Sequence, residues 1–248
     1  MRLQGKRVVN TRTAHQAETL NQLLRAEGAI PLEYPAIAIA PPEDTQVLDE
    51  ALAGNYDLLV LTSANAVESL AQHANTLGLS LRGLRAAAVG EATAQIAQEK
   101  LGVEIVFVPS EANANALAET MPVTPGMQIL LPQSEIAPPK LAELLRSRGT
   151  TVTTVTAYHT IRGHGGIQLA PLLNKGLIDA VTFTSASTVR YFAERMHDEG
   201  ADMPDNVVIA CLSRQISTVA HEEGYIRTVE AKTSTLAGLI EALAETFN

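Results

Sequence analysis

The sequence predicts an α/β protein with parallel sheets flanked by helices, and three observations carry that reading. Two apolar runs end in hydroxyl-rich corners, Asp57-Leu-Leu-Val-Leu-Thr-Ser-Ala-Asn-Ala-Val67 and Asp179-Ala-Val-Thr-Phe-Thr-Ser-Ala-Ser-Thr-Val189. Runs apolar on both faces suit central parallel strands covered by helices. Strand-like runs also alternate with segments of helical spacing along the chain. Finally, the order recurs: Gly149 follows Gly28 by 121 residues, and Ser185 follows Ser63, as Gly224 follows Gly102, by 122. A repeat of about half the chain reads as a duplicated α/β domain, far longer than a solenoid unit.

The elements follow in order. Lys6 to Asn10 predicts a strand and His15 to Glu27 a helix stopped by Gly28. Ala29 to Tyr34 predicts a second strand. Pro35 to Pro42 is extended, because its three prolines forbid a helix, and serves as an edge strand or a linker. Thr45 to Ala53 is a short helix, followed by the first corner. Leu84 to Gly90 is a strand entering a helix from Glu91 to Gln98, Val103 to Val108 a strand, and Asn113 to Glu119 a helix. The order then returns, with a strand over Met127 to Leu131, a helix over Pro139 to Arg148 and a strand over Thr151 to Val155. Thr156 to Gly165 looks like a second linker. The chain therefore divides either in tandem near Pro125 or by crossing between domains at both linkers, and composition does not choose.

Bulk properties exclude several functions. A net charge of −9 and 4% aromatic residues argue against a phosphate-backbone or base-stacking partner, so no nucleic acid is expected. The lone Cys211 and six scattered histidines form no metal-ligand spacing. No apolar run approaches the roughly 20 residues of a membrane span, and Met1 to Val9 lacks the apolar core of a signal peptide. The expectation is a cytoplasmic protein with no membrane association, and a monomer, since no interface pattern shows. There is no glycine-rich dinucleotide fingerprint, P-loop or Gly-x-Ser-x-Gly elbow, so neither cofactor nor metal is expected.

The candidate site lies in the polar corners: Thr11-Arg12, Thr62-Ser63-Ala64-Asn65, Gly90 with Thr93, Gln133-Ser134, Thr184-Ser185 with Ser187, and Ser213-Arg214. Pro109-Ser110 and Thr233-Ser-Thr235 are similar. A helix start offers unpaired N–H groups at the positive end of its dipole and binds carboxylates or phosphates without a net-positive protein. Ser and Thr cap helices everywhere, so the case rests on recurrence rather than on any one corner. Tyr158 stands apart, in the second linker, as a side chain able to donate a proton or simply to anchor the linker.

The order of motifs resembles the uroporphyrinogen-III synthase family over nearly the whole chain. The resemblance is carried by Val9-Asn-Thr-Arg12, Gly28-Ala29, Tyr56-Asp57 through Val67, Ala88-Val-Gly-Glu-Ala-Thr-Ala94, Tyr158, Ile178 through Val189, and Thr235-Leu236. It implies two flavodoxin-like α/β domains joined by a two-stranded linker, one from residues 1–37 plus 164–248 and the other from 38–163. It also implies an active site in the cleft between them, Tyr158 as the acid, and Arg12, Thr62, Ser63, Gly90, Thr93, Thr184 and Ser185 as lining residues. The substrate would be hydroxymethylbilane, a linear tetrapyrrole with eight carboxylates. One departure stands out: where many members carry a glycine followed by a Thr-Ala pair, this chain has Cys211-Leu-Ser-Arg-Gln-Ile-Ser217, and Ile216 replaces the hydroxyl expected from Thr93. The rival readings are a two-domain binding module without catalysis and a transferase acting on nucleotide sugars.

Overall fold

A computed structural model describes residues 1–247; Asn248, with which the expected first domain ends, lies outside them. The chain begins with β1 (Arg7–Asn10), α1 (Ala14–Ala26), β2 (Ile30–Glu33) and β3 (Ile37–Ala40). It continues through α2 (Gln46–Leu52), β4 (Leu58–Leu61), α3 (Ala64–Leu77), β5 (Arg85–Ala88), α4 (Glu91–Leu101), β6 (Glu104–Phe107) and α5 (Ala114–Thr120). Then come β7 (Gln128–Ser134), α6 (Lys140–Ser147), β8 (Thr151–Arg162), α7 (Leu169–Asn174), β9 (Ala180–Phe183) and α8 (Ala186–Asp198). The last elements are β10 (Val208–Cys211), α9 (Arg214–Glu222), β11 (Thr228–Glu230) and α10 (Leu236–Thr246).

Met1–Ala38 and Ile161–Asn248 form one compact unit, and Ile39–Thr160 a second. The first holds a sheet of order β11-β10-β9-β1-β2, whose neighbours all pair in parallel. The second holds β3-β8-β7-β4-β5-β6, parallel from β8 to β6. Read from β2, the first sheet follows the flavodoxin order 2-1-3-4-5. The second repeats it with the strands supplied in a permuted chain order. The first unit thus takes two strands from one half of the repeat and three from the other, and the second takes two and four, with β1 against β9 and β7 against β4.

The apolar runs explain the layering. All four residues of β4, β9 and β10 are buried, as strands covered on both faces require. Along β4, Leu59 and Leu61 join the core beneath α3 and α4, while Leu58 and Val60 join the one beneath α5 and α6. In the first unit Val9 and Val181 face one core and Val8 and Ala180 the other. Register is pinned in both units by the same device: the Asp57 carboxylate accepts the Gln128 amide at 2.8 Å, and the Asp179 carboxylate accepts the Arg7 amide at 2.8 Å.

Of the two readings of the Pro-flanked segment, edge strand or linker, it holds a strand, β3, at the edge of its sheet, where a proline-bounded strand is tolerated. The segment read as a second linker lies largely in a strand, β8, which continues from Thr151 to Arg162 over 12 residues. Helix α7 gave no signal because six residues are too few to show a period. Past β8 the chain lies against the Pro35 segment, with the Gly163 amide donating to the Ala36 carbonyl at 2.8 Å and that of Ile167 to Glu33 at 2.9 Å. Arg195 of α8 stacks 3.6 Å from the Tyr34 ring centre and donates to the Pro35 carbonyl at 3.0 Å and the Gly165 carbonyl at 2.8 Å.

Candidate active site

In the second unit, the chain leaving β4 turns through Thr62 into Ser63, whose extended backbone (φ −157°, ψ 153°) ends the strand and caps α3. The Ser63 hydroxyl accepts the Ala66 amide at 3.1 Å and lies 3.1 Å from the Tyr158 phenol oxygen. Tyr158 is buried, packed with Ala66 and Ala157 and touched by Ile39 of β3. Burial pushes its phenol above the ordinary value, against hydrogen bonds from Ser63 and Asn65; the negative charge of Glu135 adds to the rise. At neutral pH it is therefore a protonated donor at a helix N-terminus.

A bulge places that ring. Gln133 pairs with Thr156 and Ser134 with Tyr158, so β8 spends one extra residue, Ala157, opposite β7. Ser69 of α3 holds the Ala157 carbonyl through its hydroxyl. Beyond the bulge, Glu135 accepts the Thr160 amide at 3.0 and 3.1 Å through its two oxygens and the Ser134 hydroxyl at 2.6 Å. The His159 ring lies 3.5 Å from the same carboxylate. Burial alone would raise the Glu135 carboxyl, but the Ser134 and Thr160 hydrogen bonds and the charge of His159 outweigh it and hold it below the ordinary value.

In the first unit the matching corner is Ser185, which caps α8 in a reciprocal box: its hydroxyl accepts the Thr188 amide at 3.2 Å and its amide donates to the Thr188 hydroxyl at 3.2 Å. Ser187 reaches the Ser185 hydroxyl at 2.9 Å, and Thr184 is half-buried beside it. On the neighbouring strand end, Arg12 donates to the Gln16 side chain at 3.1 Å while its Nε is buried with no partner. Burial lowers its guanidinium below the ordinary value. Ser213 starts α9 without a side-chain cap, and Arg214 is exposed.

Not every predicted corner is one. Gln133 and Ser134 are the last residues of β7, and Ser134 is buried; α6 begins only at Lys140, after Pro138 and Pro139. Thr11 is fully buried and its hydroxyl donates to the Thr182 carbonyl at 2.6 Å, tying β1 to β9. Tyr158, expected in the second linker, lies in the strand β8. Asn113, not Ser110, caps α5, accepting the Ala116 amide at 2.8 Å. Gly90 caps α4 through its backbone only, and Thr93 is buried in the first turn. Ala64 and Asn65 are the first two residues of α3. A recess of about 480 Å³ lined by Tyr56, Asp57, Arg85 and Met127 lies at the opposite, amino ends of β4, β5 and β7, away from all of these groups. Glu135, Thr160 and Ser69 were missed from sequence, since a carboxylate or hydroxyl next to a strand end carries no signal without the register.

Among the described residues no cluster of three His, Cys, Asp or Glu side chains is placed to hold a metal, and no helix is long and apolar enough to cross a membrane. Two α/β units, each with a parallel sheet whose strands end at hydroxyl-bearing helix N-termini, define the class of α/β proteins that bind small molecules at their strand ends. Comparison with known proteins narrows this. The family model for "Uroporphyrinogen-III synthase HemD" matches residues 18–241. A uroporphyrinogen-III synthase from Synechococcus elongatus is 34% identical over 97% of this chain and 95% of its own. One from Chlorobaculum parvum is 29% identical over 88% of this chain and 90% of its own. The fold is shared with a mutant uroporphyrinogen III synthase from the extremely thermophilic bacterium Thermus thermophilus, at a TM-score of 0.66 and 21% identity over 98% of this chain and 100% of that one. It is shared also with the Helicobacter pylori uroporphyrinogen-III synthetase, at a TM-score of 0.61 and 18% identity over 98% and 100%. The chain belongs to the uroporphyrinogen-III synthase family.

Proposed function

We propose that this chain closes hydroxymethylbilane to uroporphyrinogen III, inverting the last pyrrole ring with loss of water, in porphyrin biosynthesis. The observation that carries the reading, beside family membership, is Tyr158: a buried phenol held on the capping hydroxyl of α3. The substrate's own pyrrole nitrogen expels the hydroxyl and leaves an electrophilic methylene. Tyr158 donates its proton to the departing hydroxyl, which leaves as water. The substituted carbon of the last ring then bonds to the methylene and becomes a spiro centre. Its older bond to the neighbouring methylene breaks, that methylene bonds to the free α-carbon of the same ring, and the proton lost from that carbon as the ring regains aromaticity restores the phenol. The protein's main task is geometric, to present that carbon and not its unsubstituted competitor.

The carboxylates are assigned to the corners. Ser63 with Asn65 and the Gly90 backbone in one unit, and Ser185, Ser187, Ser213, Arg12 and Arg214 in the other, offer hydroxyls, amides and guanidinium groups. These local fields act at contact distance, where the net charge of −9 is screened beyond about 10 Å at ordinary salt. The same charge supports a role without nucleic acid. A monomer working in the cytoplasm completes the proposal, in keeping with a single buried thiol. Incubation with freshly made hydroxymethylbilane, followed by isomer analysis, tests it: the type III isomer is expected, and the spontaneous type I isomer alone would sink it.

A further inference from the structure

The structure assigns Glu135 as a positioning residue for the reaction: its carboxylate completes the β7–β8 ladder where β7 runs out, and so fixes the Tyr158 phenol on the Ser63 hydroxyl. The inference rests on the reading of Tyr158 as the proton donor.

The geometry is specific. β7 ends at Ser134, and the ladder ends there with the Ser134–Tyr158 pairing. Just before it, the bulge at Ala157 interrupts regular pairing, so the ring follows an irregular step of the ladder on the β7 side. The next amide along, that of Thr160, has no β7 carbonyl opposite, and the Glu135 carboxylate takes its place at 3.0 and 3.1 Å. Residues 158 and 160 share a face of the strand, so holding one orients the other. The hydroxyls reinforce the clamp: Ser134 has one proton, given to Glu135 at 2.6 Å, so the 2.9 Å contact between Ser134 and Thr160 is donated by Thr160. Thr160 is thus tied to the end of β7 through both backbone and side chain. A hydrogen bond to an ionised acceptor is about twice as strong as a neutral one, and the net lowering of the Glu135 carboxyl shows it ionised through the neutral range.

His159 reaches the same carboxylate at 3.5 Å, the phenol oxygen is held by Ser63 and Asn65, and Tyr158 packs in a small cluster with Ala66 and Ala157. Without Glu135 the Thr160 amide loses its carboxylate acceptor, and the strand after the bulge loses its tie to the end of β7. A displacement of even an ångström at a reacting group costs up to roughly 100-fold in rate.

Glu135→Ala is expected to lower kcat roughly tenfold with KM within about twofold, because the acid is misplaced while the carboxylate grips are intact. Glu135→Gln keeps an oxygen for the Thr160 amide and is expected to recover kcat to within about threefold of wild type. Hydrogen exchange of the Thr160 amide, read on the free protein, is expected to be slow in wild type and Glu135→Gln and fast in Glu135→Ala. Unchanged kcat in Glu135→Ala, equal losses in both variants, or a Thr160 amide protected in Glu135→Ala would each overturn the assignment. The amide arm needs no turnover, so it separates a failed ladder cap from a failed acid: if Tyr158→Phe turns over at the wild-type rate, only the catalytic reading of Tyr158 falls.

Discussion

The Ser63 hydroxyl serves two partners at the same distance, the Ala66 amide and the Tyr158 phenol, each at 3.1 Å. One atom therefore couples the start of α3 to the proposed acid. Ser63→Ala removes both contacts. The lost cap is expected to cost about 1 kcal/mol of stability, read as a lower urea midpoint. Turnover should fall by more than that stability change alone can explain, since the phenol loses its anchor. Ser63→Thr keeps the hydroxyl and should restore the midpoint; if Ser63→Ala left both quantities unchanged, the coupling would be refuted.

For Tyr158→Phe the expected outcome is a several-fold loss in kcat with substrate affinity retained. The loss should be smaller than the about 100-fold or more that general acids commonly supply, because the pyrrole nitrogen itself drives the hydroxyl out. The ring keeps its packing on Ala66 and Ala157, so the thermal midpoint should barely move. Single-turnover assays scored for isomer composition separate the two effects, and full activity would remove Tyr158 as the donor.

The corner from Asp57 to Val67 is legible in the sequence because a four-residue apolar run and a capping serine are local signals, and the structure puts β4 and α3 where they point. The parallel sheets are legible from such runs and from their repetition. The unbroken continuation of β8 through Tyr158 is not, since His159, Gly163, Gly165 and Gly166 show only a linker composition. The strand persists there because it has a neighbour on each side, β7 and β3, and those are tertiary facts. Gln133 and Ser134 mislead for a related reason: Pro138 and Pro139 delay the next helix, so the hydroxyl finishes a strand. Glu135 carries no signal, because its meaning depends on β7 stopping one residue earlier.

The close approach after β8 yields a steric prediction. A Cβ on Gly163 would collide with the Pro35 carbonyl, with no positive φ involved, whereas one on Gly165 meets nothing but sits at φ +76°. Gly163→Ala is thus expected to cost about 2–3 kcal/mol through overpacking. Gly165→Ala should cost only about 1 kcal/mol, from left-handed backbone strain. Urea denaturation of the two variants side by side checks the order, and a larger loss for Gly165→Ala would reverse the argument.

Alkaline stability follows from Cys211 in β10, an interior strand of the first sheet. Burial, helped by the charge of Glu230, pushes its thiol from 9.0 up to about 12. The unfolded chain then releases this proton near pH 9 while the folded protein keeps it. The contribution is whole below pH 9 and is lost as pH rises toward 12, at about 1.4 kcal/mol per pH unit. Tyr158, Tyr34 and Tyr225, raised chiefly by burial, act in the same direction above pH 10. Urea midpoints between about pH 8 and 10 should therefore fall in wild type and fall less steeply in Cys211→Ala. Parallel slopes would mean that the thiol is not the group responsible.

Arg12 should trade stability against binding. Its guanidinium is lowered by burial, its Nε has no partner, and its side chain donates to neutral Gln16 at 3.1 Å. A cation taken from water without a carboxylate costs stability, and a substrate carboxylate supplies what is missing. Arg12→Met keeps the side-chain stem and removes the charge. The expected result is a protein as stable as wild type or more so, with KM raised roughly tenfold or more, the loss of one charge-assisted hydrogen bond of about 1.5–3 kcal/mol. Arg12→Lys should recover part of the affinity but not the geometry of a two-pronged donor. Added salt should weaken wild-type binding more than that of Arg12→Met, because only the former contains the screened attraction. An Arg12→Met variant that loses stability while keeping its KM would show that Gln16 is partner enough and that the guanidinium holds the fold and not the substrate.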